Sequence, residues 1–261
     1  MTLARPIQRF TAGNYTRQND WIAPEEPMEL RIEGRSVAII MRTPGHDIDL
    51  ATGFLLTEGV IEDAEDIQAI AHIIEPMDRK ENTVDTILAS GVPAKRQHRA
   101  DRNLFASSSC GVCGKTTLER VFLQAPAFSN HTTIESELAC SLPNRLLESQ
   151  QIFSLTGGLH AAALFSLTGE LLIVREDIGR HNAVDKVIGH CIRHDIPLNE
   201  LILLVSGRVG FEIAQKALMA RIPIIVAIGS PSSLAVDFCT KGKITLFGFV
   251  KEDRCNQYSG F

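Results

Sequence analysis

The sequence predicts an α/β fold in two packed units: a smaller α+β unit over residues 1–150, then a three-layer α/β/α unit over residues 151–261. Three observations carry this. In the second half, Leu201 to Val205, Ile222 to Ile228 and Ile244 to Val250 are short strands, apolar on both faces and alternating with helices. That is the pattern of a sheet covered on both sides. The first half instead groups β-branched runs around a single amphipathic helix. Finally, 261 residues is long for one domain of about 100–200 residues.

Residues 1 to about 25 include Trp21 and read as an irregular or strand-like lead-in. Met28 to Ile32 and Ser36 to Arg42 form a predicted hairpin turning at Glu33-Gly34, its second arm rich in β-branched and apolar residues. Thr43-Pro44-Gly45 ends that run. From His46 to Gly59, Ile48, Ala51, Phe54 and Leu55 recur at helical spacing, and Gly59 supplies the stop. Ile67 to Ile74 and Thr83 to Ala89 are two more strands. Ser90 to Leu104 is basic and aperiodic, and leads into the serine- and glycine-rich loop Ser107 to Lys115, followed by a helix over Thr116 to Leu123. Between Ala125 and about Gln151 the pattern weakens, which puts the unit boundary there. His160 to Leu167 and Glu170 to Glu176 make a hairpin through Thr168-Gly169. Gly179 to His194 is a helix with Ala183, Val187 and Cys191 on one face; helices over Gly210 to Ala220 and Ser232 to Thr240 separate the three apolar strands.

Hydrophobic residues at 44% and charged residues at 22% are ordinary globular usage and exclude wholesale disorder. The net charge of −5, without blocks of like charge, argues against a general nucleic-acid or anionic-membrane binder. No stretch reaches the roughly 18 apolar residues of a membrane span, and MTLARPIQRF lacks the apolar centre of a signal peptide. Six cysteines are too sparse for a disulfide scaffold. The expectation is a cytoplasmic protein with reduced thiols.

The strongest chemical signal is Cys110-Gly111-Val112-Cys113-Gly114-Lys115. Two thiols at this spacing can share a metal, close a disulfide or carry sulfur. The thiolate is the active species in each case, and Lys115 and a helix beginning near Thr116 favour it. A zinc site needs two more ligands, and the chain has no second C-x-x-C to supply them. Sulfur handling, zinc and an inert linker all remain open on the residues alone.

Ser107 to Lys115 resembles the signature loop of the formate dehydrogenase accessory proteins, the FdhD sulfurtransferase family. Gly53 to Gly59, Thr156 to Ala162, Arg175 to Lys186 and Ser206-Gly207-Arg208 match the same family in order. The resemblance implies a carrier that accepts sulfur from a cysteine desulfurase as a persulfide on Cys110 and Cys113. It passes that sulfur to the molybdenum cofactor, Mo-bis(molybdopterin guanine dinucleotide), which is bound as substrate before it enters formate dehydrogenase. It further implies a homodimer, a cytidine deaminase-like second unit and no structural metal. An alternative of another class is a cofactor-binding chaperone without thiol chemistry. Deaminase chemistry itself does not follow, because it needs H-x-E and P-C-x-x-C, whereas Ala161-Ala162 follow His160.

A cofactor with several phosphates needs amides and cations. Ser206 to Gly210, with Arg208, and Gly229-Ser230 to Ser233 each join a strand end to a helix start, where free N–H groups favour phosphate. Either one alone is also an ordinary turn. Phe249-Val250-Lys251-Glu252-Asp253-Arg254, after the last predicted strand, resembles the family's cofactor-contacting stretch, although Glu252-Asp253 is more acidic than usual. Asp177 reads as a helix cap, and Asp185 with Lys186 as a solvated face. The resemblance places His160 and His181 in the pocket lining.

Overall fold

The computed structural model describes residues 2–74, 81–97, 99 and 121–261. Strands β1 (Leu3–Thr11) and β2 (Asn14–Ile22) form an antiparallel ribbon. It turns at Ala12-Gly13, where both φ angles are positive (49° and 86°), as a two-residue hairpin turn requires. The lead-in is thus a regular ribbon. It gave no periodic signal because nearly every side chain in it is exposed.

β3 (Glu26–Ile32) and β4 (Arg35–Arg42) form the predicted hairpin. With β5 (Ile67–Ile73) and β6 (Thr83–Leu88) they make a four-stranded sheet in the order β4-β3-β6-β5, in which β3 and β6 run parallel. Helix α1 (Asp47–Thr57) buries Leu50, Ala51 and Leu55 in the same core as Met28, Leu30 and Val84 of that sheet. A short helix, α2 (Ala94–Gln97), lies inside the stretch expected to be aperiodic. The expected helix from Thr116 is described only from Val121, with Val121–Gln124 helical.

Helices α3 (Ser136–Ser149) and α4 (Gln151–Thr156) occupy the stretch where the pattern weakened. Pro143 inside α3 reads as a helix breaker, and only a narrow stripe, including Ala139, Leu142 and Leu146, is buried. Then follow β7 (His160–Ser166), β8 (Leu171–Asp177), α5 (Arg180–Arg193), β9 (Leu201–Val205), α6 (Phe211–Met219), β10 (Ile224–Ala227), α7 (Ser233–Gly242), β11 (Thr245–Lys251) and β12 (Arg254–Ser259). The second sheet has the order β12-β11-β10-β9-β7-β8, with β9, β10 and β11 parallel.

Strand alternation divides this sheet between two cores. Ala162, Leu164, Leu203, Val205, Ile225 and Leu246 face α1, α5, α6 and α7; Ala163, Phe165, Ile202, Leu204, Val226 and Phe247 face α3. The result is three layers, and α3 is the layer that sequence periodicity did not reveal. α6 buries Phe211, Ile213, Ala214, Ala217 and Leu218 and so leaves no uncovered apolar face.

The first core runs from Met28 to Leu246 and draws on both sheets. Its seam is the α1–α5 crossing. A Cβ at Gly53 would lie 1.9 Å from the Asp185 carbonyl oxygen, and one at Gly189 would lie 1.9 Å from that of Asp49. Charges bolt the same seam. The Lys186 ammonium, 1% exposed, sits 2.7 Å from Asp177 and donates to the Thr43 carbonyl at 2.8 Å. The Asp185 carboxylate accepts from Lys216 at 2.8 Å and from the Thr57 hydroxyl at 2.9 Å. Asp185 and Lys186 are therefore buried on both counts, not a solvated face: the helix turns them toward α6 and Thr43 respectively.

Candidate functional site

The parallel strands β9, β10 and β11 end at one edge of the second sheet, where β7 begins and β8 ends. The turns that follow β9 and β10 are packed onto each other and onto the end of β11. Gly229 donates its N–H to the Gly207 carbonyl at 3.3 Å, and a Cβ at Gly229 would lie 2.6 Å from that same oxygen. Val209 donates to Ser230 at 3.1 Å, and Phe249 donates to Gly229 at 3.0 Å. Ser206, Arg208, Gly229, Ser230 and the Phe249–Arg254 segment are thereby brought together.

Within this edge the residues differ in what they offer. The Ser206 hydroxyl accepts from the Ala161 amide at 2.9 Å, so one lone pair fastens β7 to the turn. Arg208, Lys251 and Arg254 are exposed and have no hydrogen-bond or ion-pair partner among the described residues. Arg208 and Lys251 stand at the ends of parallel strands, and Arg254 faces Lys251 at the start of the antiparallel β12. Val250 packs into the second core, so its side chain serves folding.

The Phe249–Arg254 segment does not follow the last strand. It is the end of β11, the Glu252-Asp253 turn and the start of β12, a polar edge strand that shows little apolar pattern. The register slips between Gly248 and Lys251. There Phe249 adopts φ 52°, a left-handed conformation that is a genuine outlier for a bulky side chain and costs on the order of 1–3 kcal/mol. The residue nevertheless stays 48% exposed. A strained backbone that holds an aromatic ring in solvent is poor packing, and fits a ring kept ready for a flat partner.

His160 opens β7 with its Nδ1 3.3 Å from where a Gly207 Cβ would stand, and Arg180 approaches the same point at 3.7 Å. Burial, then the positive Arg180 and the neighbouring His181, hold the His160 pKa below its ordinary 6.5. His181 Nε2 lies 3.3 Å from the Glu212 carboxylate, an ion-pair distance without the alignment of a hydrogen bond. Contact with His181 holds the Glu212 carboxyl below 4.5. Sequence reasoning missed Glu212, because an acid in the first turn of a helix is unremarkable next to the helix dipole. Cys110 and Cys113 lie outside the described residues.

A cavity of about 850 Å³ opens elsewhere, between the two sheets, and is lined in part by Arg42, His46, Arg175 and Lys186. Arg42 is held by Asp47 at 2.7 Å, Arg175 by Asp49 at 3.3 Å and Lys186 by Asp177 at 2.7 Å. With those charges already answered, the cavity suits phosphate less well than the strand-end edge does.

His46 and His190, beside Asp49, are also held below 6.5, in each case by burial first and then by Arg175. A lowered histidine pKa means that the unfolded chain binds the proton more readily. Stability is then fully present above pH 6.5 and falls as pH drops from there toward the depressed values. Calorimetry should show the unfolding midpoint lower by a few degrees at pH 5.5 than at pH 7.5. The Glu29 and Glu212 carboxyls titrate below 4.5 and lie outside that window. An unfolding midpoint that rises on acidification through this range would refute the assignment.

Among the described residues no helix is long and apolar enough to cross a membrane, and no cluster of His, Cys, Asp and Glu could hold a metal. A crystal structure from Desulfotalea psychrophila, described as a formate dehydrogenase accessory protein, shares the mixed α/β fold. It has a TM-score of 0.76 and 23% identity over 99% of this chain and 96% of its own. "Sulfur carrier protein FdhD" of Streptomyces coelicolor is 44% identical, with 100% of this chain and 94% of that protein covered. The protein of the same description from Mycobacterium tuberculosis is 42% identical over 99% and 96%. The sequence profile of the FdhD/NarQ family matches residues 23–261. With that match and relatives of this identity along the whole length, the chain belongs to the FdhD/NarQ family.

Proposed function

We propose that this chain is a sulfurtransferase that loads sulfur on Cys110 and Cys113 and delivers it to a guanine-dinucleotide molybdenum cofactor bound at the strand-end edge. The observation that carries the cofactor half is the convergence of the turns after β9 and β10 with the end of β11, which gathers Arg208 and Arg254, unpaired among the described residues, and the strained, exposed Phe249. The relatives' description as sulfur carriers supports the other half. In this reading the Cys110 thiolate attacks the terminal sulfur of a cysteine desulfurase persulfide. The desulfurase thiolate leaves, and Cys110 holds the sulfane sulfur. Cys113 serves as relay or resolving thiol. Arg208, Lys251 and Arg254 meet phosphate, Phe249 flanks an aromatic ring, and His160 and His181 line the pocket. Formate dehydrogenase receives the sulfurated cofactor. The second half is then cytidine deaminase-like, supported by its order of hairpin followed by helix-linked parallel strands. The chain works in the cytoplasm as a homodimer. Exposed Phe10, Tyr15 and Trp21 on the ribbon, with Ile39, Met41 and Ile87 on the outer side of the small sheet, support an association surface.

Two experiments test the two halves. After incubation with a desulfurase and cysteine, mass spectrometry should find added sulfur on the peptide containing Cys110, and the Cys110→Ala protein should lose it. Sulfur persisting undiminished in that variant would overturn the assignment, and unimpaired cofactor sulfuration by both cysteine variants would favour the chaperone. Calorimetry with GDP should show Arg208→Ala and Arg254→Ala each weakening affinity about ten- to a hundredfold, since a charged hydrogen bond contributes about 1.5–3 kcal/mol. Persulfide formation should survive both changes. Unchanged GDP affinity in both folded variants would put the pocket elsewhere.

A further inference from the structure

Four free cysteines are found among the described residues: Cys140, Cys191, Cys239 and Cys255. Cys191 and Cys239 are buried in the first core. The other two meet. Cys140 projects from α3 into the second core, 7% exposed, and Cys255, the second residue of β12, packs against that core from its partly open edge. α3 and β12 pack against each other here, with both thiols turned to the same core. Neither residue belongs to the Cys110/Cys113 loop, and the sulfur chemistry proposed above uses neither.

We propose that Cys140 and Cys255 form a redox-active dithiol that closes to a disulfide between α3 and β12. The bond would fix the β11–β12 hairpin, which carries Phe249, Lys251 and Arg254, onto the helix beneath it. Cys255 adjoins Arg254, so the tie falls within one residue of a cation at the strand-end edge.

The two thiols differ in access, and that sets the order of events. Cys255 is partly exposed and takes the first step. Its thiolate attacks one sulfur of a small-molecule disulfide such as oxidised glutathione, forming a mixed disulfide and releasing one glutathione thiolate. Cys140 then gives its proton to solvent and attacks the Cys255 sulfur, and the second glutathione leaves. Two protein thiols are oxidised and one small disulfide is reduced to two thiols. Burial first, then the contact with Cys255 and the nearby Glu137 and Asp253 carboxylates, push the Cys140 thiol up to about 11. The second step is therefore slow near neutrality and quickens with pH, up to about tenfold per unit.

The test uses the full chain carrying Cys110→Ser and Cys113→Ser, so that the loop thiols do not compete. It is incubated at pH 8.5 with oxidised glutathione, then unfolded, alkylated and digested. The expected product is a cross-linked peptide pair joining the Cys140 and Cys255 segments, lighter by two hydrogens. The oxidised protein should unfold roughly 5–15 °C higher, because the link closes a loop of more than a hundred residues, and dithiothreitol should reverse the shift. Cys255→Ala, at a partly exposed edge position, should abolish the cross-link while the chain stays folded. Cys255 recovered only as the glutathione adduct, with Cys140 alkylated, would overturn the proposal. So would recovery of both residues as alkylated thiols.

Discussion

Gly53→Ala is expected to destabilise the protein by about 3 kcal/mol or more, although alanine at a mid-helix glycine ordinarily stabilises by about 1 kcal/mol. The sign is reversed by the α1–α5 crossing. A methyl group at position 53 would stand 1.9 Å from the Asp185 carbonyl oxygen, 2.7 Å from its carbon and 2.9 Å from its Cα, all backbone atoms that no rotamer can move aside. The helices must separate, and separation opens gaps around Leu50, Val184, Val187 and Ile188, which fill the same core. Gly189→Ala meets the mirror-image obstacle, the Asp49 carbonyl at 1.9 Å and the Gly53 amide nitrogen at 2.6 Å. Urea unfolding of both variants checks this, and a midpoint equal to or above that of the parent chain would show that the helices do not approach so closely.

Asp177→Ala should cost about 3–5 kcal/mol, the range for removing one partner of a buried ion pair. The Asp177 carboxylate, 0% exposed, accepts from the Thr43 and Gly179 amides at 3.1 and 2.8 Å, from Asn182 Nδ2 at 2.9 Å and from the Lys186 ammonium. Its removal leaves Lys186 buried with only the Thr43 carbonyl. The converse change, Lys186→Met, leaves the carboxylate three N–H donors and should cost distinctly less. This ordering separates a charge effect from simple loss of packing, since the lysine side chain is the larger of the two. Equal losses in denaturant titrations, or a smaller loss for Asp177→Ala, would contradict it. The double variant should lose less than the sum of the singles, because the two charges are coupled.

Much of the fold was legible because apolar periodicity and burial coincide. Leu201 to Val205 is apolar throughout and buried throughout, and α5 shows its inward face in Ala183, Val187 and Cys191. Where burial is absent or narrow, the pattern fails. The β1–β2 ribbon has no inner face to advertise, β12 is a polar edge, and α3 hides a helical stripe behind Pro143. In the site, the turns after β9 and β10 were legible from glycine and serine at strand ends. Glu212 was not, because its pairing with His181 depends on how α5 and α6 are set side by side. The buried charges misled for the same reason: adjacent Asp185 and Lys186 look solvated until tertiary packing assigns each its own buried partner.

Lys186 and the Thr43 carbonyl it meets are 143 positions apart in the chain. During synthesis the N-terminal strands and α1 leave the ribosome well before the sequence that covers them, and α1 waits with Gly53 and its apolar neighbours bare until α5 arrives. The nascent chain therefore passes through a long interval in which its first sheet is formed on one side only, and contacts of such separation fold slowly. Expression hosts with ample holding chaperones, or slower growth at reduced temperature, should raise the soluble yield. Truncation anywhere before α5 should give an aggregating fragment rather than a smaller working domain.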